Sequence, residues 1–351
     1  LKARALEDSL ANARKAQTEK KSMLEVIEGG IQTTVQEYPG RIGYLNLGTY
    51  PAGPMDHFAF RIANLLVGNA PGTSALEVTL GGFKARFSDR RVVSVAGAPM
   101  PLTVNGQVLP LWRSFEVKAG DVLALGMVKA SGGFRSYLAV SGGIDVPEYM
   151  GSRATFTVGG FGGFQGRGLK KGDQVPLGSV FADGEEHFAG CRLRKELIPS
   201  YATEWEIEVM RGPQADPDYM TAEDMEFFFS NAWKVDRNSN RMGIRLEPHK
   251  WQWARTTGGV AGGHPSNILD NGYAVWTVNI CGDQPIILVA DGPSLGGFIC
   301  NATLVHASTW KAGQLVPGRD VVRFKEVTIE EAIELARRLD ARVSQNSIER
   351  E

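Results

Sequence analysis

Between residues 74 and 177 the chain never holds one conformation for more than a few residues, and that limit governs what it can fold into. Apolar, β-branched runs at 75–80, 92–96, 101–104, 115–117, 122–125 and 135–140 are separated by Gly81-Gly82, Asn105-Gly106, Ala119-Gly120-Asp121 and Gly132-Gly133. Runs this short, bounded by glycine, read as strands rather than helices, and Asn-Gly is a hairpin signal. With 42 glycines the chain can place a turn after nearly every run. The regular strand–turn spacing implies a mostly-β barrel or sandwich.

Helical patterns frame this core. Residues 1–21 carry a thin stripe of Leu6, Leu10 and Ala13 on a charged helix. Asp56 stands before FAFRIANLLVG, where Phe58, Ile62, Leu65 and Leu66 share a face and Gly68 suits the C-terminus. Asp56 is a natural N-cap there. Thr221 with Asp224, and Thr328 with Glu331, have capping spacing, and 328–342 is amphipathic. Periodicity weakens across 180–204. The chain therefore divides into an N-terminal helical extension (1–22), a first β-domain (23–200), a second (201–326) and a C-terminal helix or linker (327–351). The phrases KAGDVL at 118–123 and KAGQLV at 311–316 are faintly alike, which permits two related β-domains.

The stretch 264–298 concentrates chemistry. Two short apolar runs, 273–280 and 285–290, flank the turn Cys281-Gly282-Asp283-Gln284. The second ends in Asp291-Gly292-Pro293-Ser294-Leu295-Gly296-Gly297. A carboxylate at a strand end followed by glycines can bring backbone N–H groups close to a ligand, or can simply make a tight turn. The segment GGFGGFQGRG at 159–168 is a loop and not a phosphate cradle, because no Lys-Ser/Thr and no helical pattern follow it. A net charge of -1 gives no broad attraction to nucleic acid or an anionic membrane. No run nears the apolar length of a membrane span. Cys191, Cys281 and Cys300 form no CxxC pair. Structural zinc is therefore not expected, and a reducing, cytoplasmic setting is.

Several stretches, taken in order, resemble the carboxyltransferase region of urea carboxylase, in the allophanate hydrolase subunit 2-like superfamily, which also holds a 5-oxoprolinase subunit. They are Thr33-Thr34-Val35-Gln36 through Pro39-Gly40-Arg41, Pro51-Ala52-Gly53-Pro54-Met55-Asp56, RIANLLVGN at 61–69, Asn238-Ser239-Asn240-Arg241, His264-Pro265-Ser266-Asn267 and DGPSLGGF at 291–298. The resemblance spans residues 24–325. Gln36-Glu37 stands where the family usually has Gln-Asp, and Thr49-Tyr50 also departs from it. The resemblance implies two tandem cyclophilin-like β-barrel domains. It implies transfer of CO2 from carboxybiotin to urea, giving allophanate. The implied partners are a biotin carboxylase domain using ATP and Mg, a biotinyl carrier domain and a second carboxyltransferase piece, fused or separate. Other readings are a 5-oxoprolinase subunit, which needs ATP and partner subunits, and a kinase-regulator-like binding module.

For that chemistry Asp56 and Asp291, one from each half, are the expected urea- and biotin-positioning carboxylates. Urea offers four N–H donors, so carboxylate and amide side chains are its natural readers. Asn240, Asn267 or the Gly296-Gly297 backbone would donate to the oxygen that gains charge as CO2 leaves. Arg241 or Arg153 could hold a carboxylate in a bidentate contact. Pro54, Met55, His264, Ser266 and Ser294 complete the expected binding set. No metal ligand set is expected, since His264 has no second ligand at metal spacing.

Overall fold

A computed structural model describes residues 22–129, 132–180 and 188–350. The helix expected at 1–21 lies outside the described residues. The remainder is mostly β, as the strand–turn spacing predicts. In the first half, two antiparallel sheets pack face to face. One runs in the order Gln174–Pro176, Met23–Gly29, Phe83–Phe87, Val122–Leu125, Leu102–Val104, Gln107–Leu109. The other runs Gln32–Gln36, Ala75–Thr79, Arg135–Val140, Arg91–Gly97, Arg113–Val117, Cys191–Leu193, Ile348–Arg350. Leu24, Val26, Phe83, Phe87, Leu76, Val78, Val95 and Leu138 fill the space between them.

The second sheet is buried on both faces, and this positions the site. Side chains alternate along a strand. Leu76, Val78, Leu138 and Val140 therefore enter the first core, while Ala75, Glu77, Tyr137 and Ala139 face the opposite way. Glu77 and Tyr137 are direct cross-strand partners. Over that outer face lies helix α1 (His57–Leu66), with Asp56 as its N-cap accepting from Ala59 N. Gly68 takes φ +78° just past the helix end, where a side chain would be strained.

The second half is built on one further sheet: Trp233–Lys234, Val321–Glu326, Glu204–Arg211, Leu295–Leu304, Thr277–Cys281, Gln284–Leu288, Gly243–Arg245, with Asn267–Gly272 added to Leu295–Leu304. Glu204–Arg211 and Val321–Glu326 are parallel. Helix α2 (Ala222–Ser230) carries the Thr221/Asp224 capping box, and α3 (Thr309–Gly313) abuts the first half. Phe58 of α1 lies 6.2 Å from Trp112 and 6.3 Å from Trp310, and Trp310 lies 6.1 Å from Trp205. The two halves thus share one continuous core. Helix α4 (Ile329–Arg342) follows with the expected Thr328/Glu331 box.

Two details differ from expectation. The sheets are open rather than closed barrels: each hydrogen-bonded path among the described residues ends in edge strands, and closure comes from face-to-face packing. The segment 327–351 is also more than a helix or linker. Ile348–Arg350 pairs with Cys191–Leu193 and becomes an edge of the first half's sheet. Three residues carry too short a pattern to announce a strand. Among the described residues no helix is long and apolar enough to cross a membrane, and all three cysteines are free thiols.

Candidate functional site

The loop at 51–56 is threaded between the halves. Ala52 N donates to Ala290 O of the second half (3.0 Å), and Gly53 N donates to Gln36 Oε1 (3.0 Å). Gly53 has φ +86° and Ala52 φ +55°. Pro54 and Met55 are buried. Met55 N donates to Glu77 Oε2 (2.8 Å). A Cβ on Gly313 of α3 would sit 2.1 Å from Met55 O, so only glycine lets the two segments cross there.

This threading brings charged side chains from both halves together out of contact with bulk solvent. Arg241 grips Asp291 with two hydrogen bonds, Nε to Oδ2 and Nη2 to Oδ1, each 2.9 Å. Its Nη1 donates to Glu77 Oε1 (2.6 Å), and Nη2 also donates to Gly53 O (2.8 Å). Tyr137 Oη donates to Glu77 Oε2 (2.9 Å) and accepts from Asp56 N (2.7 Å). Gln314, from the second half, donates to Asp56 Oδ2 (2.7 Å) and accepts from the N–H groups of Phe134 and Arg135. Arg135 Nε lies 3.5 Å from Glu77 Oε1. Asp56, Glu77 and Asp291 are all at most 1% exposed.

Burial and partners set the charges. For Glu77, burial pushes the carboxyl up, but the Arg241 and Arg135 guanidinium groups outweigh it and hold it below the usual range. Asp291 is raised by burial in spite of Arg241. Burial alone would lower Arg241, but the Asp291 and Glu77 charges hold it above its ordinary value. Asp56 forms no ion pair among the described residues, and burial raises it to about 7, opposed by its bonds from Ala59 and Gln314.

An open space lies beside this network. A cavity of about 310 Å³ in the second half is lined by residues that include Asn240, Tyr273, Asn279, Leu288 and Phe298, with Ile286, Pro293 and Arg245. That is the lower end of small-molecule pockets. Asn240 is the neighbour of Arg241. Its Oδ1 accepts from Met242 N (2.8 Å), and its Nδ2 has no acceptor among the described residues. Tyr273 Oη accepts from Phe298 N (2.7 Å) and donates to Phe298 O (3.0 Å). Burial pushes its phenol up to about 12. A Cβ on Gly296 would lie 2.8 Å from the Tyr273 ring, so this glycine lets the ring lie on the strand and form the cavity wall.

The remaining expected residues fall elsewhere. Ser294 O accepts from Tyr273 N (2.8 Å) and holds the same wall. Gly297 packs on Ile268 O. Ser266 Oγ accepts from Gly282 N (3.0 Å) and lies 3.0 Å from His264 Nδ1. His264 Nε2 lies 3.7 Å from Asp283. Asn267 Nδ2 donates to Gly262 O (3.3 Å). His264, Ser266 and Asn267 thus clamp a loop onto the 281–284 hairpin and do not line the cavity. Arg153 pairs with Glu148 (2.8 Å) and Glu37 (3.4 Å) on a separate polar cavity of about 430 Å³. The motifs do not single out Glu77, Arg135, Tyr137 or Gln314. A signal for three of them is nonetheless present: a Glu inside ALEVT, and Arg and Tyr inside RSYLAV, are polar intrusions in strands otherwise fit for burial.

Comparison with known proteins agrees with this architecture. The family described as "Carboxyltransferase domain, subdomain A and B" matches residues 47–326. Urea amidolyase of Saccharomyces cerevisiae is 43% identical over 322 residues, which cover 91% of this chain and 17% of that protein. The crystal structure of Kluyveromyces lactis urea carboxylase superposes with TM-score 0.88 at 42% identity, over 94% of this chain and 29% of that one. A 5-oxoprolinase subunit of Escherichia coli is 33% identical over 89% of this chain and 93% of its own length. The chain therefore spans less than a third of the first two of these relatives.

Proposed function

The chain belongs to the carboxyltransferase domain family, subdomains A and B, and from that premise we propose that it is the acceptor half of a biotin-dependent urea carboxylase, passing a carboxyl group from carboxybiotin to urea to give allophanate. The observation that carries this reading is the cavity beside the Asn240 and Arg241 turn. One residue lines the space, and the next is locked by four hydrogen bonds into the buried network.

Biotin, delivered by a carrier domain, supplies the carboxyl group. The residues present suit its head: Ile286, Leu288 and Phe298 offer an apolar wall for a fused ring, and the Asn240 amide matches a ureido group. Asn240 Nδ2 donates to an oxygen that gains negative charge, a role in which one donor is worth about 10²- to 10³-fold in rate. Arg245, at the exposed rim, draws in a carboxylate. Asp291 and Asp56 act as positioning residues, since their oxygens are already engaged by Arg241, Ala59 and Gln314. Asp291 fixes Arg241, and through the chain the orientation of Asn240. Asp56 fixes the 51–56 loop against Gln314. The partners on this reading are a biotin carboxylase domain using ATP and Mg, the carrier, and a second carboxyltransferase piece.

A second reading, a 5-oxoprolinase subunit, is favoured by one observation: the Escherichia coli relative is 33% identical over 89% of this chain. The test is carboxylation of urea, with 5-oxoproline as the competing substrate, in the complete multidomain protein. Urea-dependent allophanate that falls at least tenfold in Asn240→Ala, Asp56→Ala and Asp291→Ala, with the fold intact, supports the first reading. Turnover of 5-oxoproline alone, or unchanged transfer in all three variants, overturns it.

A further inference from the structure

Arg41 is a buried cation with no carboxylate in contact among the described residues. Its side chain is 1% exposed. Nε donates to Tyr149 O and Nη2 donates to Ala154 O, each at 2.9 Å. Both acceptors are neutral carbonyls. Among the described residues Nη1 has no acceptor, and no carboxylate forms an ion pair with this guanidinium. Its position in the fold is fixed from behind, because Arg41 N donates to Pro51 O (2.7 Å) at the base of the inter-half loop. A buried unpaired guanidinium costs stability. The buried arginines of the inter-half network have acidic partners: Arg241 has Glu77 and Asp291, and Arg135 has Glu77. Arg41 is the exception.

Its surroundings form a receptor. The guanidinium carbon lies 5.0 Å from the Phe161 ring centre and 5.8 Å from that of Tyr149. Both rings also line a cavity of about 420 Å³ together with the glycine-rich segment 160–166. Gly162 belongs to that lining, and a Cβ placed on it would lie 2.8 Å from Arg41 Nη2. A single glycine peptide is thus in contact with the cation on one side and the cavity on the other. Gly160, Gly162, Gly163 and Gly166 all adopt positive φ, between +51° and +71°. The same Cβ would lie 2.1 Å from Ala154 O, the acceptor of Arg41 Nη2, so only glycine lets the loop close over the guanidinium. Glu148, also on the cavity wall, shares Arg153 (2.8 Å) with Glu37 (3.4 Å).

We propose that Arg41, beneath the glycine-rich loop, is the receptor for a carboxylate that enters from the Tyr149 and Phe161 cavity and takes the free Nη1 donor when the Gly162 peptide moves aside. A planar monoanion with two oxygens matches the guanidinium fork, and the flanking rings exclude the water that would weaken the pair. The site is separate from the Asn240 cavity, and its failure leaves the acceptor reading intact. The carboxylate has two sources: a free small anion, or the acid group of a larger ring-bearing ligand.

The test titrates this chain with sodium formate, with biotin, and with biotinamide, which carries no carboxylate, at matched ionic strength. Binding is read by titration calorimetry and thermal shift, in the wild type and in Arg41→Lys. Lysine keeps the charge but lacks the fork. Expected is Arg41-dependent binding of formate, or of biotin and not biotinamide, with Kd raised about tenfold or more in Arg41→Lys. Formate binding assigns the free anion, and biotin binding alone assigns the ligand-borne group. No saturable signal with any probe, or equal signals in wild type and Arg41→Lys, overturns the proposal.

Discussion

Replacing Arg241 with methionine should reverse the sign of Glu77's contribution to the pH dependence of stability. The guanidinium makes four hydrogen bonds, two to Asp291, one to Glu77 and one to Gly53 O. Methionine fills much of the same volume but leaves Asp291 with no cation in contact and Glu77 with only Arg135 at 3.5 Å. Breaking a buried pair by removing one partner costs about 3–5 kcal/mol, a large part of the ~5–15 kcal/mol that holds a domain folded. At about 2–4 °C per kcal/mol for domains of this size, Tm falls by roughly 10 °C. In the wild type, Glu77 is held below its usual range. Its contribution to stability is therefore present above the unfolded carboxyl pKa and is lost as pH falls through the lowered folded value. In Arg241→Met, burial acts nearly unopposed, and both folded pKa values rise. The buried acids are then tolerated only when protonated, so stability is highest in acid and is lost as pH rises through the raised values. Thermal unfolding near pH 5 and near pH 8 checks this: the variant's deficit must be larger at the higher pH. Adding Asp291→Leu to Arg241→Met should recover part of the loss, because an apolar pair in place of an ion pair is close to neutral. A deficit below about 1 kcal/mol, or one equal at both pH values, would refute the view that Arg241 neutralises a buried acidic cluster.

Other outcomes follow from the same geometry. Because burial lifts Asp56 to about 7, its contribution is full below the unfolded carboxyl pKa and is lost as pH rises through 7; Asp56→Ala should flatten the stability profile there, at a cost of about 1 kcal/mol for the lost cap, as urea unfolding across that pH range would read. Gly313→Ala drives a methyl into Met55 O and should cost about 1–3 kcal/mol by overpacking in thermal unfolding. Trp310→Ala removes the ring that links Phe58 to Trp205 and should cost about 3–5 kcal/mol by the same measurement. On the proposed acceptor role, Ile286→Trp fills the second-half cavity and should abolish carboxyl transfer by the complete multidomain protein while Tm changes little; unchanged transfer in that variant would move the site elsewhere.

Much of the fold was legible in the sequence, because its signals are local. Asn105-Gly106 joins Leu102–Val104 to Gln107–Leu109 as a hairpin, and the Asp56, Thr221 and Thr328 caps lie where spacing put them. Each depends only on residues a few positions apart. Motif order likewise identified the family, since order and spacing are properties of the sequence itself. Asp56 and Asp291 could be named from the sequence, but not what they touch. Glu77 and Tyr137 sit in strands whose alternation says only that two faces differ; that both faces are buried follows from α1 and the second half covering one of them. Gln314 reaches Asp56 across 258 positions of sequence, and Arg241 reaches Glu77 across 164. No local pattern encodes such meetings. They arise because desolvated charges must find partners wherever the packed halves place them, and the partner is chosen by the chain's path through space.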